Sequence, residues 1–175
     1  MIVLDATAFA LLVNPDAKPP EDPATKEPVT QVRERYGHLE AEIQRTGETI
    51  LIPTPALAEV LIGLGDAGPA VLDRISRSAR FKIAEFDTMA AVELAAMTRE
   101  AIRAGDKKGG SASPWQKVKI DRQIIAIARA RGATRIYSDD GGVATFAEQI
   151  GLEVVQTWKM PLPPVAPQRH LDFTP

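Results

Sequence analysis

The sequence of 175 residues contains no cysteine and only two histidines. The absence of cysteine excludes a disulfide scaffold, a zinc site with thiolate ligands and a cysteine nucleophile. The two histidines, His38 and His170, lie far apart in the chain, which argues against a histidine-rich metal site. Candidate metal ligands must therefore be sought among oxygen donors.

A large excess of charge and a long apolar run are also missing. The 21 basic and 23 acidic residues give a formal net charge of −2. An RNA partner would therefore have to be held by a local basic patch. The first apolar run, Ile2–Leu4, has no basic region before it and is broken by Asp5, and no stretch approaches the roughly 18 apolar residues of a membrane helix. We expect a soluble, cytoplasmic protein without membrane contact.

Several enzyme motifs are absent as well. No GxxxxGK[ST] motif is found, which argues against a P-loop nucleotide site, and no GxGxxG follows the first apolar run, as a dinucleotide site would require. No GxSxG nucleophile elbow is found. The length is that of one domain, and the 45% of apolar residues can form a sizeable core.

Five short apolar runs predict strands, and segments of helical periodicity lie between them. Most runs are uninterrupted, which is typical of a sheet covered on both faces. The predicted strands are Ile2–Leu4, Thr49–Ile52, Phe81–Phe86, Arg135–Tyr137 and Leu152–Val155. Their alternation with helices predicts an α/β fold with a parallel sheet. Ligands of such sheets bind at the carboxyl ends of the strands.

Local signals set the limits of the predicted helices. One helix begins with Thr54 as its cap and Pro55 in its first turn. A third helix begins after Asp87 or Thr88, and a fourth ends before Gly132. This fourth helix covers 117–131, and the second and fifth helices cover 68–78 and 142–149. The inner face of the third helix is predicted to consist of Ala91, Leu94, Ala95 and Ile102.

Three segments fit this alternation poorly. One of them, residues 105–114 (GDKKGGSASP), predicts a mobile basic loop. Residues 14–28 form an exposed, proline-rich loop, and it leads into a polar helix over about 29–45, on which Tyr36 and Leu39 indicate packing against some surface, such as a partner subunit. Residues 158–175 contain five prolines and predict an extended tail.

Carboxylates in apolar surroundings are the most informative feature. Asp5 directly follows the first strand, and Asp139 and Asp140 follow the fourth strand after Ser138. Asp121 opens the fourth helix, and Glu59 lies within an apolar helix, where burial would neutralise an acid that has no partner. Each has an ordinary alternative, because Asp5 and Asp121 could serve helix N-termini and the Asp139-Asp140 pair could be turn residues.

These acids converge if both strands end at the same edge and both helices face it. Converging carboxylates repel one another, and a divalent cation between them removes the repulsion. Oxygen ligands alone select Mg²⁺ or Mn²⁺ over zinc or copper. Such a site suits the metal-assisted hydrolysis of a phosphodiester.

At these residues the chain resembles the PIN-domain family and, within it, the VapC-type ribonuclease toxins. Four segments carry the resemblance: VLDATAF at 3–9, PTPALAEVLIG at 53–63, KIDRQIIAIARARGATRIYSDD at 119–140 and LEVV at 152–155. The family pattern has an aspartate after the first strand with Ser or Thr two residues later, a helical glutamate, an aspartate on the helix before the fourth strand, and Thr/Ser-x-Asp after that strand. Here these positions hold Asp5 with Thr7, Glu59, Asp121, and Ser138 with Asp140.

The resemblance implies a three-layer α/β/α sandwich with a five-stranded parallel sheet, in a nuclease domain over 1–157. It implies a Mg²⁺ or Mn²⁺ site formed by Asp5, Glu59, Asp121 and Asp140, with Thr7 and Ser138 as supporting hydroxyls. Asp139 could replace or assist Asp140. It further implies endonuclease action on RNA, a cognate antitoxin and a homodimer.

The chain departs from the family pattern in three ways. The segment 14–48 is inserted between the first aspartate and the glutamate, the tail 158–175 is extra, and Gly142 stands where the family often has a further acid. These departures bear on the antitoxin and the substrate more than on the metal site.

Basic residues near the acids are candidates for RNA contact, and Lys117, Lys119 and Arg122 surround Asp121 in sequence. A solvated charged surface is the ordinary alternative for each of them. The alternatives for the whole chain are a PIN-like nuclease that processes RNA or cuts DNA without an antitoxin, and a non-catalytic PIN-like module that binds nucleic acid.

Overall fold

Short strands alternate with helices over residues 1–164, the part of the chain that a computed structural model describes. The strands are β1 (Ile2–Leu4), β2 (Ile50–Pro53), β3 (Phe81–Ala84), β4 (Arg135–Tyr137) and β5 (Glu153–Val155). The helices are α1 (Ala6–Val13), α2 (Val32–Thr46), α3 (Thr54–Leu64), α4 (Gly68–Ser76), α5 (Thr88–Arg103), α6 (Trp115–Ala130) and α7 (Gly141–Gln149). Two 3-10 turns cover Gly65–Ala67 and Thr157–Lys159.

All five strands pair in parallel, in the order β3-β2-β1-β4-β5. The central strand is β1, where Val3 pairs with Leu51 on one side and with Ile136 on the other. Side chains alternate across the sheet and form two cores, because successive residues of a strand point to opposite faces. Ile2 and Leu4 pack with α1 and α2, whereas Val3 packs with α6 and α7. The predicted α/β/α sandwich with a parallel sheet is confirmed.

Aspartates cap three of the helices that follow strands. The side chains of Asp5, Asp87 and Asp140 accept hydrogen bonds from the first N–H groups of α1, α5 and α7. The cap expected at Thr54 is wrong, because α3 already includes Thr54 and Pro53 precedes it without a side-chain cap. α6 begins at Trp115, so Asp121 lies in its second turn and does not open the helix.

The predicted inner face of α5 is wrong for three of its four residues, and the fourth, Leu94, is half-buried. Ala91 and Ala95 are exposed, and Ile102 is 57% exposed. The helix packs through Ala90 and Met97 instead. Both faces of α5 carry apolar residues, so periodicity alone did not identify the one that meets α6.

The inserted helix and the start of the tail belong to the core of the chain itself. Tyr36 and Leu39 of α2 are buried in the same core as β1 and α1, and this packing needs no partner subunit. Met160, in the segment predicted as an extended tail, is buried there too. Positions 165–175 of that predicted tail lie outside the described residues.

One helical stretch, Thr54–Ser76, is long and apolar enough to cross a membrane, with a mean hydropathy of 1.3. The stretch contains Glu59, Asp66 and Asp73 and is therefore not an uninterrupted apolar run. The 3-10 turn at Gly65–Ala67 interrupts the stretch between α3 and α4. Length and composition alone are weak evidence for a membrane span.

Candidate acidic active site

Four acids that are scattered in sequence line one cavity of about 280 Å³ at the carboxyl end of the sheet: Asp5, Glu59, Asp121 and Asp140. Lys117 lines the same cavity. Larger cavities of about 410 and 590 Å³ lie elsewhere in the described chain. The chemistry of its walls, rather than its size, makes the acidic cavity the candidate active site.

Asp5 lies at the base of the site and is almost completely buried, with 3% exposure. Its Oδ1 accepts a hydrogen bond of 2.8 Å from the Ala8 N–H, and its Oδ2 accepts a hydrogen bond from the Ser138 hydroxyl. Burial is the main cause that raises the pKa of Asp5 to about 7, and these hydrogen bonds offset part of the effect. Asp5 therefore serves as a helix cap and also contributes a carboxyl group to the cavity.

Ser138 connects Asp5 with Asp140, since its hydroxyl oxygen also accepts a hydrogen bond of 3.1 Å from the Asp140 N–H. Asp140 Oδ1 caps α7 through the N–H groups of Gly142 and Val143, at 2.7 and 3.2 Å. Asp140 Oδ2 accepts a hydrogen bond of 2.6 Å from the Lys117 ammonium. Burial alone would raise the pKa of Asp140, but the bonds from Lys117 and from the helix N–H groups hold it below its usual value.

Asp121 enters the cavity from the second turn of α6 and is 3% exposed. Its Oδ1 lies 3.4 Å from Lys117 Nζ, while its Oδ2 is buried without a hydrogen-bond partner among residues 1–164. Burial raises the pKa of Asp121; the Lys117 charge opposes this rise, and the charges of Asp140 and Glu59 add to it. A buried carboxylate oxygen without a donor is costly, and a bound cation would satisfy it.

Gly142 allows the close approach of Asp121. A Cβ at position 142 would lie 2.5 Å from Asp121 Oδ2 and 3.0 Å from Asp140 Oδ1. This arrangement therefore has no room for the further acid that the family often carries there. The family pattern marks Gly142 only as a departure. The Gly141-Gly142 pair after two acids is the feature of the sequence that indicates this close approach.

Glu59 and Thr7 lie in more open parts of the cavity. Both are exposed on their helices, α3 and α1. The apolar surroundings expected for Glu59 are wrong, because the outer surface of α3 is open and Ile62 there is 82% exposed. Glu59 therefore needs no partner to offset its burial.

Asp139 points away from the acidic cavity. Its two carboxylate oxygens accept hydrogen bonds of 2.7 Å from the N–H and from the hydroxyl of Thr157. Burial raises the pKa of Asp139, and the Thr157 bonds oppose the rise. The Thr157 hydroxyl also lies 3.1 Å from the Tyr36 hydroxyl, so Asp139 ties β4 to the inserted helix.

The three basic candidates for RNA contact lie in different surroundings. Lys117 lies between two acids, Lys119 is exposed outside the cavity lining, and Arg122 is only 2% exposed and lines another cavity. Burial alone would lower the pKa of Lys117, but its hydrogen bond to Asp140 and the charge of Asp121 outweigh this and raise it. The four-residue spacing between Lys117 and Asp121 on one helix was the signal for this ion pair.

The acids do not form a ready-made cation site, because no three acidic side chains of residues 1–164 are grouped closely enough to hold one ion as they stand. The Lys117 ammonium lies between Asp121 and Asp140. The donor set nevertheless fits a hard divalent cation. All the donors are oxygens, which hard cations prefer. Asp121 Oδ2 also lacks a hydrogen-bond partner in the part of the chain that the structure describes.

Comparison with solved structures identifies the class of fold. One match is the crystal structure of VapBC2 from Rickettsia felis bound to a DNA fragment from their promoter, with a TM-score of 0.56, 17% identity, and coverage of 89% of this chain and 98% of the other. A second is DNA-bound VapBC from Salmonella typhimurium, with a TM-score of 0.54, 16% identity, and coverage of 89% and 97%. The chain has the fold of a VapC-type PIN domain.

No family model matches the sequence. No curated protein matches it either. At 16–17% identity the structural likeness establishes the fold alone. The evidence on activity comes from the residues of the acidic cavity.

Proposed function

We propose that this protein is a metal-dependent endoribonuclease and the toxin of a toxin–antitoxin pair. The observation that carries the proposal is the meeting of Asp5, Glu59, Asp121 and Asp140 around one cavity at the carboxyl edge of a PIN-like sheet. Asp121 is the strongest single indication that a cation belongs there, because its buried Oδ2 has no hydrogen-bond partner among the described residues.

Asp5, Asp121 and Asp140 would hold Mg²⁺ or Mn²⁺, with Glu59 as a ligand in the open part of the cavity. A bound divalent ion neutralises charge on the phosphate and lowers the pKa of a coordinated water. The protein supplies the positions of the carboxylates. Ser138 fixes Asp5 relative to Asp140, and helix caps fix the side chains of both.

The first experiment compares Asp121→Asn and Asp5→Asn with the wild type in RNA cleavage with Mn²⁺, with single-stranded DNA as a parallel substrate. We expect each variant to lose at least about 10- to 100-fold in rate, the loss typical even of residues that only support a metal ligand. Both should keep a cooperative melting transition. Wild-type cleavage rates in both folded variants would refute the nuclease proposal, and cleavage of DNA alone would refute the RNA substrate.

A pair of glycine variants tests the metal site without changing a ligand. Gly142→Ala places a Cβ 2.5 Å from Asp121 Oδ2, whereas Gly141→Ala places one where nothing lies within 4 Å. We expect G142A to weaken Mn²⁺ binding measured by calorimetry and to melt earlier, and G141A to match the wild type. Equal Mn²⁺ affinity of the two variants would contradict the proposed position of the ion.

The antitoxin partner, a homodimer and a cytoplasmic location are part of the same proposal. VapBC complexes share the fold of this chain, which supports a cognate antitoxin. Expression of the protein alone should arrest growth, and D121N should relieve the arrest. Light scattering of the purified chain measures its oligomeric state, and a monomeric mass would refute the homodimer.

A further inference from the structure

Arg122 is a buried cation for which residues 1–164 supply no hydrogen-bond partner at Nη1. It follows Asp121 on α6 and is 2% exposed. Burial lowers the pKa of Arg122, and the charge of Asp106 opposes this effect. Both Asp106 oxygens, however, accept backbone bonds, from the N–H groups of Lys108 and Gly110 at 2.8 and 2.7 Å.

Aromatic rings compensate only part of this charge. The Arg122 guanidinium carbon lies 4.8 Å from the centre of the Phe146 ring and 5.9 Å from that of Trp115. Ring faces attract the cation but accept little from N–H groups in the guanidinium plane. Buried charges in proteins are normally paired and hydrogen-bonded. The N–H groups of Nη1 therefore call for an acceptor that residues 1–164 do not supply.

A cavity of about 590 Å³ adjoins the guanidinium, and Arg122 forms part of its wall. The loop between α5 and α6 passes close over Arg122 at Gly109, which has a φ of +62° and where a Cβ would lie 2.9 Å from Nη2. Gln149 fixes this loop through a hydrogen bond of 3.0 Å from its Nε2 to the Gly109 carbonyl. The cavity is thus a built feature with an arginine in its wall.

We propose that this cavity is a binding site for a small oxyanion, recognised by the Arg122 guanidinium and separate from the acidic active site. The fork of N–H donors in arginine matches the oxygens of a phosphate or a carboxylate. Glu100 and Asp106 also line the cavity, while Arg129, a second cation there, is paired with Glu93 at 3.0 Å. Two acids disfavour a polyanion such as RNA, so the ligand is a compact anion with a single phosphate or carboxylate group.

The test measures melting of the metal-free full-length protein in sodium phosphate, in sodium acetate and in sodium chloride at equal ionic strength. A ligand bound only by the native state must stabilise that state. We expect phosphate, acetate or both to raise the wild-type Tm by several degrees over chloride, and calorimetry to show saturable binding of the same anion. The preferred group is the one whose shift depends on Arg122, because phosphate also stabilises folded proteins through its exclusion from their surface.

Arg122→Met and a matched control, Arg103→Met at the exposed end of α5, assign the effect to the site. R122M should lose the anion-dependent shift and, in chloride, melt at or above the wild-type temperature, because it removes an unpaired buried charge. R103M should keep the full shift. Arg122→Lys should keep only part of it, because lysine retains the charge without the fork.

Absence of a shift and of binding heat in the wild type with both anions would overturn the proposal, and so would a full shift that survives in R122M. If R122M does not fold, wild-type calorimetry and the reduced shift of R122K decide. Asp121→Asn must leave the anion shift unchanged, so this result is independent of whether the acidic cavity cleaves RNA.

Discussion

At the scale of single residues, hydrogen bonds in the acidic cavity give two of its carboxylates, those of Asp5 and Asp140, one fixed position. One oxygen of Asp5 and one of Asp140 each accept a hydrogen bond from the N-terminus of a helix. The Ser138 hydroxyl links the two residues, because it donates to Asp5 and accepts from the Asp140 N–H. Asp121 has no such support, and its second oxygen has no partner in the described chain. The site therefore combines two pre-positioned carboxylates with one that needs an additional cation.

When no metal is bound, the Lys117 ammonium provides part of the positive charge that the carboxylates of the acidic cavity need. We predict that Lys117→Met binds Mn²⁺ several-fold more tightly than the wild type. In the wild type the ion has to compete with the ammonium that lies 2.6 Å from Asp140 and 3.4 Å from Asp121. The metal-free variant should be less stable by up to about 1 kcal/mol, since Lys117 is 46% exposed and such pairs contribute little.

Calorimetric titration with Mn²⁺ measures this prediction, and Lys119→Met is its control, because Lys119 is exposed two residues along the same helix. Weaker Mn²⁺ binding by K117M would mean that the lysine supports the ion and does not compete with it. Unchanged affinity would mean that the ammonium leaves the cavity at no cost.

Some properties of single residues could be derived from the sequence and others could not. The positions of Asp5 and Asp140 follow from strand ends that apolar runs reveal, so both could be placed at one edge of the sheet. The burial of Arg122 and the exposure of Glu59 depend on what neighbouring helices cover, and local sequence carries little information on that. The orientation of Asp139 depends on Thr157, which is distant in sequence.

At the scale of elements, the strands were the most predictable part, because a sheet covered on both faces requires uninterrupted apolar runs. β1 and β4 have the predicted bounds, and the other strands differ by one or two residues. The packing face of α5 was not predictable, because apolar residues on opposite sides of the helix give no single direction. The inserted helix α2 was predicted as a helix, but its packing partner was not.

We predict that Leu39→Ala destabilises the protein by about 2–5 kcal/mol, the usual cost of truncating a buried leucine. Leu39 is 7% exposed and packs in the core shared by α1 and β1, so α2 is part of the fold. Urea unfolding measures the change, and Glu40→Ala at the exposed neighbouring position should alter stability by less than about 0.5 kcal/mol.

The destabilisation by L39A should also be the same at low and high protein concentration, because the core in question lies within one chain. A loss of stability in L39A that grows as the protein is diluted would place Leu39 at a subunit interface, which is the packing that the sequence alone suggested. A loss no larger than that of E40A would mean that α2 packs loosely on the sheet.

At the scale of the whole molecule, the fold places opposite requirements on two of its cavities, the acidic cavity and the cavity beside Arg122. The acidic cavity gathers carboxylates that need a cation, and the cavity beside Arg122 contains a cation that needs an anion. Asp121 and Arg122 are neighbours on α6, and their side chains line different cavities. One helix therefore carries both centres, and each has a buried polar atom without a partner in the described chain.

The buried carboxyl groups predict how the stability of the metal-free protein depends on pH. The pKa of Asp5 is about 7 in the folded chain, against an ordinary value of 3.8. Between these two values the folded chain holds a proton that the unfolded chain has released, so a rise in pH favours unfolding. Burial raises the pKa of Asp121 and Asp139 in the same direction. Asp140, whose pKa is lowered, acts with the opposite sign and only at acid pH, below its usual value.

We therefore expect the Tm of the metal-free protein to fall as the pH is raised from about 4 to about 7. The free energy of unfolding should decrease by an amount on the order of a few kcal/mol over this range. Mg²⁺ should reduce this fall, because the ion stabilises the ionised carboxylates that the pH rise produces. Asp5→Asn should reduce it as well, since the substitution removes the group with the largest rise in pKa. Thermal melts across this range, with and without Mg²⁺, measure the effect. A Tm that stays level or rises over this range in the metal-free protein would show that the acids in the cavity are ionised at little cost, and the need for a cation there would lose its physical basis.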